Sequence, residues 1–416
     1  MTYRPRVVDG ELKARLRATG AVVIEGPRAC GKTETARQAA ASEVLLDVDS
    51  TARAAMAIDP SLVLAGPVPR LIDEWQLEPA IWNHVRRAVD DRRQPGQFIL
   101  TGSAIPADDA IRHTGAGRIS RLRMRPMTLF ESGHSNGAIS LRGLLSGERV
   151  QTVDPGITVT DIAERVSAGG WPGLLDLPAE QAVTAVRGYL EETARADLER
   201  ADGVRRDPTR VLRVLRALAR NTATYATLTT IAADAGGIGE TITDDTVGEY
   251  VRVLERLMIV EDQPPWAPSL RSRSRLRSAA KRHFVDPSLA VAALAASPEH
   301  LLRDLNLLGN LFESLVVRDL RVHGEAMGAR ILQYRDNTGA EADAIIETAD
   351  GGWAAFEIKL GPGQVDAAAA SLLRMTERID TNAVGTPLAL GVIVGFGYGL
   401  VRPDGVAVIP IGALRP

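Results

Sequence analysis

Eight residues near the start of the chain, Gly26-Pro27-Arg28-Ala29-Cys30-Gly31-Lys32-Thr33, join small, flexible positions to one ammonium and one hydroxyl. Their spacing is G-x-x-x-x-G-K-[ST]. Glycines let backbone N–H groups wrap an anion, and a helix beginning behind them presents its positive end. In that geometry Lys32 reaches the β- and γ-phosphates of ATP and the Thr33 hydroxyl ligates Mg2+. The eight residues and Glu34 form the expected nucleotide-binding set, with "AVVIE" before them as a buried strand. "VPRLIDEWQ" supplies Asp73 for the metal's water shell and Glu74 to polarise the attacking water. "QFILTGSA" reads as a third buried strand ending in Thr101, Gly102 and Ser103. Ser103 either senses the γ-phosphate or caps a turn.

A second set of chemical groups lies far downstream, in "ARILQYRDNTGAEADAIIETADGGWAAFEIKLG". It reads as three strands joined by the turns "NTG" and "ADGG". Side chains alternate along a strand, so Glu357 and Lys359 share one face and Phe356 and Ile358 take the opposite, buried one. Asp343 with Glu357-x-Lys359 reproduces the D-x(n)-[DE]-x-K arrangement of restriction-endonuclease-like nucleases. Two carboxylates there would hold Mg2+ or Mn2+, which lowers the pKa of a bound water. Lys359 would stabilise developing charge. Glu313, on the amphipathic stretch "LLGNLFESLVVRDL", is a further metal-ligand candidate, and Gln364 a weaker one.

The chain contains only four lysines, Lys13, Lys32, Lys281 and Lys359; every other fixed basic residue is arginine. Lysine should survive such a bias where a planar guanidinium cannot replace a compact ammonium. Two of the four fall in the two stretches above.

The combination GPRACGKT, RLIDEWQ, FILTGSA and GRISRLRMRPMTLFESG resembles the bacterial AAA-type ATPases that carry a C-terminal DUF4143 region. The resemblance implies an α/β protein: a P-loop NTPase (AAA-type) core, a winged-helix-like middle and a restriction-endonuclease-like α/β C-terminal domain. It implies an ATP site of Lys32, Thr33, Asp73 and Glu74, and makes Arg118 an arginine finger or sensor. Arg118, Arg121, Arg123 and Arg125 read equally well as a solvated strand face.

The elements between divide the chain into an ATPase core over 1–150, a helical lid or linker over 151–205, a winged-helix-like segment over 206–285 and the C-terminal domain over 286–416. "PAEQAVTAVRGYLEETARADLERA" predicts one long amphipathic helix, and three shorter helices follow, two of them starting at Asp207-Pro and Thr243-Asp-Asp. In "RSRSRLRS" the alternation places Arg271, Arg273, Arg275 and Arg277 on one face of an extended segment. Such a face can follow a DNA backbone or protect an edge strand.

With 416 residues, two or three domains are expected. The net charge of −3 means that any nucleic-acid contact must come from a local patch. The single cysteine excludes an intramolecular disulfide framework. Near the helix start its thiolate is favoured, so Cys30 is expected to be a chemical handle on the ATP site. The N-terminal stretch lacks an apolar leader core and no run spans a bilayer, so the expectation is a cytoplasmic protein without membrane contact. A homo-oligomer would be typical of AAA proteins. Two functions follow: an ATPase whose nucleotide cycle controls a nuclease-like, nucleic-acid-interacting domain, or an ATP-dependent switch whose inactive nuclease-fold module binds a partner. A toxin-like or defence effector is a third.

Overall fold

The computed structural model describes residues 2–103, 114–236, 241–268, 279–336 and 338–416. The chain forms two compact units. The first contains Met1–Pro126, Ala196–Arg206 and Arg252–Ile259; the second contains Met127–Arg195, Asp207–Val251 and Val260–Pro416. Arg271, Arg273, Arg275 and Arg277 lie outside the described residues.

The first unit is built on five parallel strands: β1 (Ala21–Glu25), β2 (Ser42–Leu45), β3 (Arg70–Asp73), β4 (Phe98–Gly102) and β5 (Ile119–Arg123). Their order across the sheet is β2-β3-β4-β1-β5. Every residue of β1 and β4 is buried. Continuous apolar runs of this kind suit central parallel strands covered on both faces. Alternation sends Ala21 and Val23 into a core with Phe98, Leu100, Trp75 and Trp82. Val22 and Ile24 enter the opposite core with Ile99, Leu122, Leu12 and Leu16. Because all five strands run the same way, their carboxyl ends share one edge, the usual place for ligands in such sheets.

The second unit carries a six-stranded sheet ordered β11-β12-β10-β9-β8-β7. Its strands are β7 (Arg330–Arg335), β8 (Glu341–Glu347), β9 (Trp353–Lys359), β10 (Leu390–Val394), β11 (Leu400–Val401) and β12 (Ala407–Pro410). β7, β8 and β9 form the expected antiparallel meander, while β9, β10 and β12 run parallel. A small parallel pair, β6 (Ile139–Ser140) with β13 (Leu414–Arg415), ties chain segments far apart in sequence. The helix Leu305–Glu325 packs on β7, β8 and β9. The helix Val365–Glu377 buries Val365, Ala368, Ala369, Leu372 and Met375 against Ile345, Trp353, Ala355 and Val392. β9 is therefore covered on both faces, Trp353 to Ile358 all being buried, where a single buried face is predicted.

The long helix predicted from residue 178 onward is interrupted. A helix over Ala179–Glu192 passes into one π-helical stretch, Thr193–Asp197, and resumes as Leu198–Asp202. The other helix starts agree with their capping chemistry: Asp207 accepts the Thr209 N–H, and Pro208 takes the first helical position of Pro208–Arg220. Among the described residues no helix is long and apolar enough to cross a membrane.

Candidate functional site

The phosphate loop leaves the carboxyl end of β1 and closes into the helix Lys32–Arg37. Two positions have left-handed backbone, Ala29 with φ 60° and Gly31 with φ 100°. Such turns aim successive N–H groups into one concavity. A Cβ at Gly26 would lie 2.3 Å from the Met124 carbonyl oxygen, so only glycine fits there. Arg6 fastens the loop from behind, donating to the Cys30 carbonyl at 2.8 Å and the Arg125 carbonyl at 2.7 Å. This fastening has no sequence signature, and Arg6 is among the residues that sequence reasoning misses. Arg28 and Ala29 are exposed, and Arg28 pairs with Asp197 at 2.7 Å. Glu34 is exposed and pairs with Arg37 at 2.6 Å.

Lys32 is 5% exposed, and its Nζ donates to the carbonyls of Gly26 (2.9 Å) and Pro27 (2.8 Å). The ammonium is thus folded back on its own loop. Thr33 Oγ1 donates to Asp73 Oδ1 at 2.9 Å, and Thr101 Oγ1 donates to the same oxygen. A hydroxyl and a carboxylate side by side at the sheet edge fit Mg2+, a hard cation taking oxygen ligands. Glu74 follows at the end of β3 with φ 53°, a strained conformation for a non-glycine residue. Gln76 Nε2 and Ser103 Oγ both donate to its Oε2, the latter at 3.2 Å. Ser103, expected either to sense the γ-phosphate or to cap a turn, is thus hydrogen-bonded to Glu74. Gln76 is missed by the sequence reading because nothing in "DEWQ" separates it from a surface polar residue.

Two expectations are corrected. The Cys30 side chain is fully buried in the core with Leu12, Leu16 and Leu122, its Sγ facing the Met124 carbonyl. Only its backbone is available to a phosphate. Arg118 precedes Ile119, which pairs with Ala21 at the amino end of β1, whereas the loop leaves the carboxyl end at Glu25. Arg118 instead binds Asp90 at 2.8 Å and the Ala116 carbonyl at 3.2 Å. It does not face its own chain's phosphate loop and cannot act as a sensor there. Arg121 pairs with Glu25.

The second unit gathers Glu313, Asp343, Glu357 and Lys359, as the sequence predicts, and adds Lys281. The Ala344–Phe356 register leaves Asp343 and Glu357 one step further along their neighbouring strands. Asp343 is satisfied on both oxygens: Oδ1 accepts from Lys281 Nζ at 3.0 Å, and Oδ2 accepts from the Ile358 N–H at 2.9 Å and Lys359 Nζ at 3.2 Å. Lys281 Nζ also lies 2.5 Å from Glu313 Oε1, and Lys359 Nζ lies 2.6 Å from Glu357 Oε2. Gln364 is exposed at the start of its helix.

Burial, reinforced by the charge of Asp343, pushes Glu313 up to about 8 and Glu357 up to about 7. Burial also acts to raise Asp343, but Lys281 and Lys359 outweigh it and hold the carboxyl well below its usual range. Both lysines lose to burial and gain more from the carboxylates, so both stay charged. The centre is balanced by its own ammonium groups. A divalent ion here would have to displace two ammonium groups and a backbone N–H from the oxygens of Asp343. Among the described residues no three His, Cys, Asp or Glu side chains are arranged to hold a metal ion. The donor set does not fit the metal expected from the sequence.

With both sites on the page, the chain can be placed among known proteins. Residues 18–132 match the AAA domain family, residues 308–414 a domain of unknown function (DUF4143), and residues 159–300 another domain of unknown function (DUF8612). The chain therefore carries a segment similar to AAA domains, followed by a C-terminal segment similar to the DUF4143 region. Two uncharacterized proteins, from Mycobacterium tuberculosis and Mycobacterium bovis, are each 29% identical to it over 143 residues. That stretch is 32% of this chain and 32% of each relative, so the chain spans about a third of the length of the curated relatives it matches. Among solved structures, a Walker-type ATPase of Pyrococcus abyssi aligns over 70% of this chain and 96% of that one, at 13% identity and a TM-score of 0.42.

Proposed function

We propose that this protein is an ATP-dependent molecular switch whose DUF4143 module binds a partner and does not cleave nucleic acid. The observation that carries the reading is the contrast between the two sites. Lys32, Thr33, Asp73 and Glu74 gather at one sheet edge, where Asp73 is bonded by neutral hydroxyls, whereas Asp343 is bonded by two ammonium groups and a backbone N–H.

In this reading Lys32 leaves the Gly26 and Pro27 carbonyls to neutralise the β- and γ-phosphates of ATP. Thr33 and Asp73 would hold Mg2+, which would supply positive charge to the phosphates. Glu74, fixed by Gln76 and Ser103, orients the attacking water. Arg118, at the far end of its strand, serves the site of another copy as a finger, which makes the working form a homo-oligomer in the cytoplasm. A DNA contact through the winged-helix-like middle over 206–285, for which the sequence offers Arg271, Arg273, Arg275 and Arg277, would be a second surface beside the partner surface of the DUF4143 module.

Lys32→Ala should weaken ATP binding by about 2–3 kcal/mol, the scale of a charge-assisted contact. Glu74→Gln should bind ATP normally and hydrolyse it on the order of 100-fold more slowly or worse. Fluorescent-nucleotide titration and phosphate release measure the two effects; wild-type turnover in Glu74→Gln would remove Glu74 from its role. The nuclease reading rests on the convergence of Asp343, Glu357 and Lys359 at two strand ends. Cleavage of labelled DNA with Mn2+, lost in Lys359→Ala, would restore it.

A further inference from the structure

Lys281 is the residue of the second unit that neither the strand pattern nor the nuclease motif calls for, and it is the most enclosed cation of the C-terminal centre. It is 5% exposed. Its ammonium lies between Glu313 Oε1 at 2.5 Å and Asp343 Oδ1 at 3.0 Å, with the Tyr225 ring centroid 5.5 Å away.

The position is built. The Lys281 backbone exchanges hydrogen bonds with Gln263, at 3.0 and 2.8 Å. The Gln263 amide in turn donates to the carbonyl of Asp343, at 3.0 Å, and to that of Leu332. His283 lies 3.2 Å from the Gln263 Oε1, and its other ring nitrogen meets Ser314 at 2.8 Å. The segment carrying the cation is therefore bonded to the strand carrying the carboxylate. In a chain that otherwise uses arginine, a lysine here is informative: a compact ammonium fits between two carboxylates where a planar fork does not.

We propose that Lys281 is the resident cation of the DUF4143 centre, standing between Glu313 and Asp343 where a divalent ion would otherwise bridge them, so that the centre excludes metal. A divalent ion entering there meets two fixed ammonium groups, Lys281 and Lys359, already bonded to its ligand oxygens. Buried carboxylates without a cation repel one another, so the same lysine that excludes the metal holds the helix Leu305–Glu325 to β8. The inference sharpens the reading of this module as non-catalytic and is independent of the ATP site.

The test is a Mn2+ titration of the full chain without nucleotide, with free Mn2+ read by electron paramagnetic resonance. Wild type and Asp343→Asn should take up the same number of equivalents. Lys281→Met should take up one more, and Lys281→Met/Asp343→Asn should lose it again. Mn2+ should raise the melting temperature of Lys281→Met and leave that of wild type unmoved. An equivalent lost from wild type on Asp343→Asn overturns the proposal. So does a folded Lys281→Met that gains none. Should Lys281→Met not fold, Lys281→Gln replaces it, and the wild-type comparison with Asp343→Asn decides without either. DNA cleavage by the wild type would overturn the non-catalytic reading instead, and ATP hydrolysis in the same samples reports on the phosphate loop separately.

Discussion

Cys30 shows how one residue can belong to a site by its backbone and to the core by its side chain. Its carbonyl is held by Arg6, while its sulfur packs with Leu12, Leu16 and Leu122. Reactivity requires an accessible sulfur, and a thiol enclosed by apolar side chains is not reached by the reagent. Native protein should therefore resist iodoacetamide on the hour scale, and ATP should leave the rate unchanged. Fast alkylation slowed by ATP, followed by mass spectrometry, would place the sulfur in the loop instead. The position near a helix start was legible in the sequence, but the direction of the side chain was not, because it depends on which core closes behind the loop. Lysine rarity carried further. Lys32, Lys281 and Lys359 all sit among oxygen atoms, and Lys13 is exposed. The rule that singled out two of them also pointed to Lys281. Around Lys281, "AAKRHF" has neither motif nor strand pattern to say what it does.

At the scale of elements, the parallel strands β1 and β4 were readable because both faces of each are covered and the sequence becomes continuously apolar, whereas β3, Arg70–Asp73, is marked by its acidic end. β2 begins with Ser42 and Glu43 at the sheet edge, which is why its pattern is faint. The break at Thr193–Asp197 left no trace, since a π-turn changes the hydrogen-bond step without requiring glycine or proline. Nor is the joint around Arg318 visible in the sequence. Arg318 is buried against Asp286 at 2.8 Å and Asp319 at 2.7 Å. Asp286 accepts the Ser288 N–H at the start of Pro287–Ala293 and the Gly170 N–H, while Asp319 accepts the Leu129 N–H. One cation thus fixes four chain segments of the second unit. Arg318→Met leaves two buried carboxylates unpaired and should destabilise the protein by about 3–5 kcal/mol. Adding Asp319→Asn should recover part of the loss. Urea midpoints measure both, and an unchanged midpoint in Arg318→Met would show the joint to be dispensable.

For the molecule as a whole, stability follows from the groups whose protonation changes on unfolding. His323 is enclosed on the helix Leu305–Glu325, and neither ring nitrogen has a hydrogen-bond partner among the described residues. The Phe130 ring meets it edge-on, with centroids 6.4 Å apart. Burial lowers its pKa from 6.5 to about 4; Glu131 opposes that shift and Arg318 adds to it. The folded chain keeps this histidine neutral, so between pH 6.5 and about 4 the unfolded chain binds one more proton. Stability contributed by the neutral ring is complete above pH 6.5 and falls as pH drops, by on the order of 3 kcal/mol at most. Asp319, pushed up to about 6 by burial despite Arg318, works in the opposite sense: its folded carboxyl takes a proton more readily than the unfolded one. The net wild-type slope therefore hides the histidine, and a difference experiment isolates it. His323→Phe keeps an aromatic ring beside Phe130 and removes the titration. Urea unfolding at pH 7.5 and pH 5 should show the variant gaining relative to wild type at the lower pH by about 1.5–2 kcal/mol, whatever its standing at the higher one. Equal pH dependence in the two proteins would mean that water or a rearranged partner reaches the ring in solution.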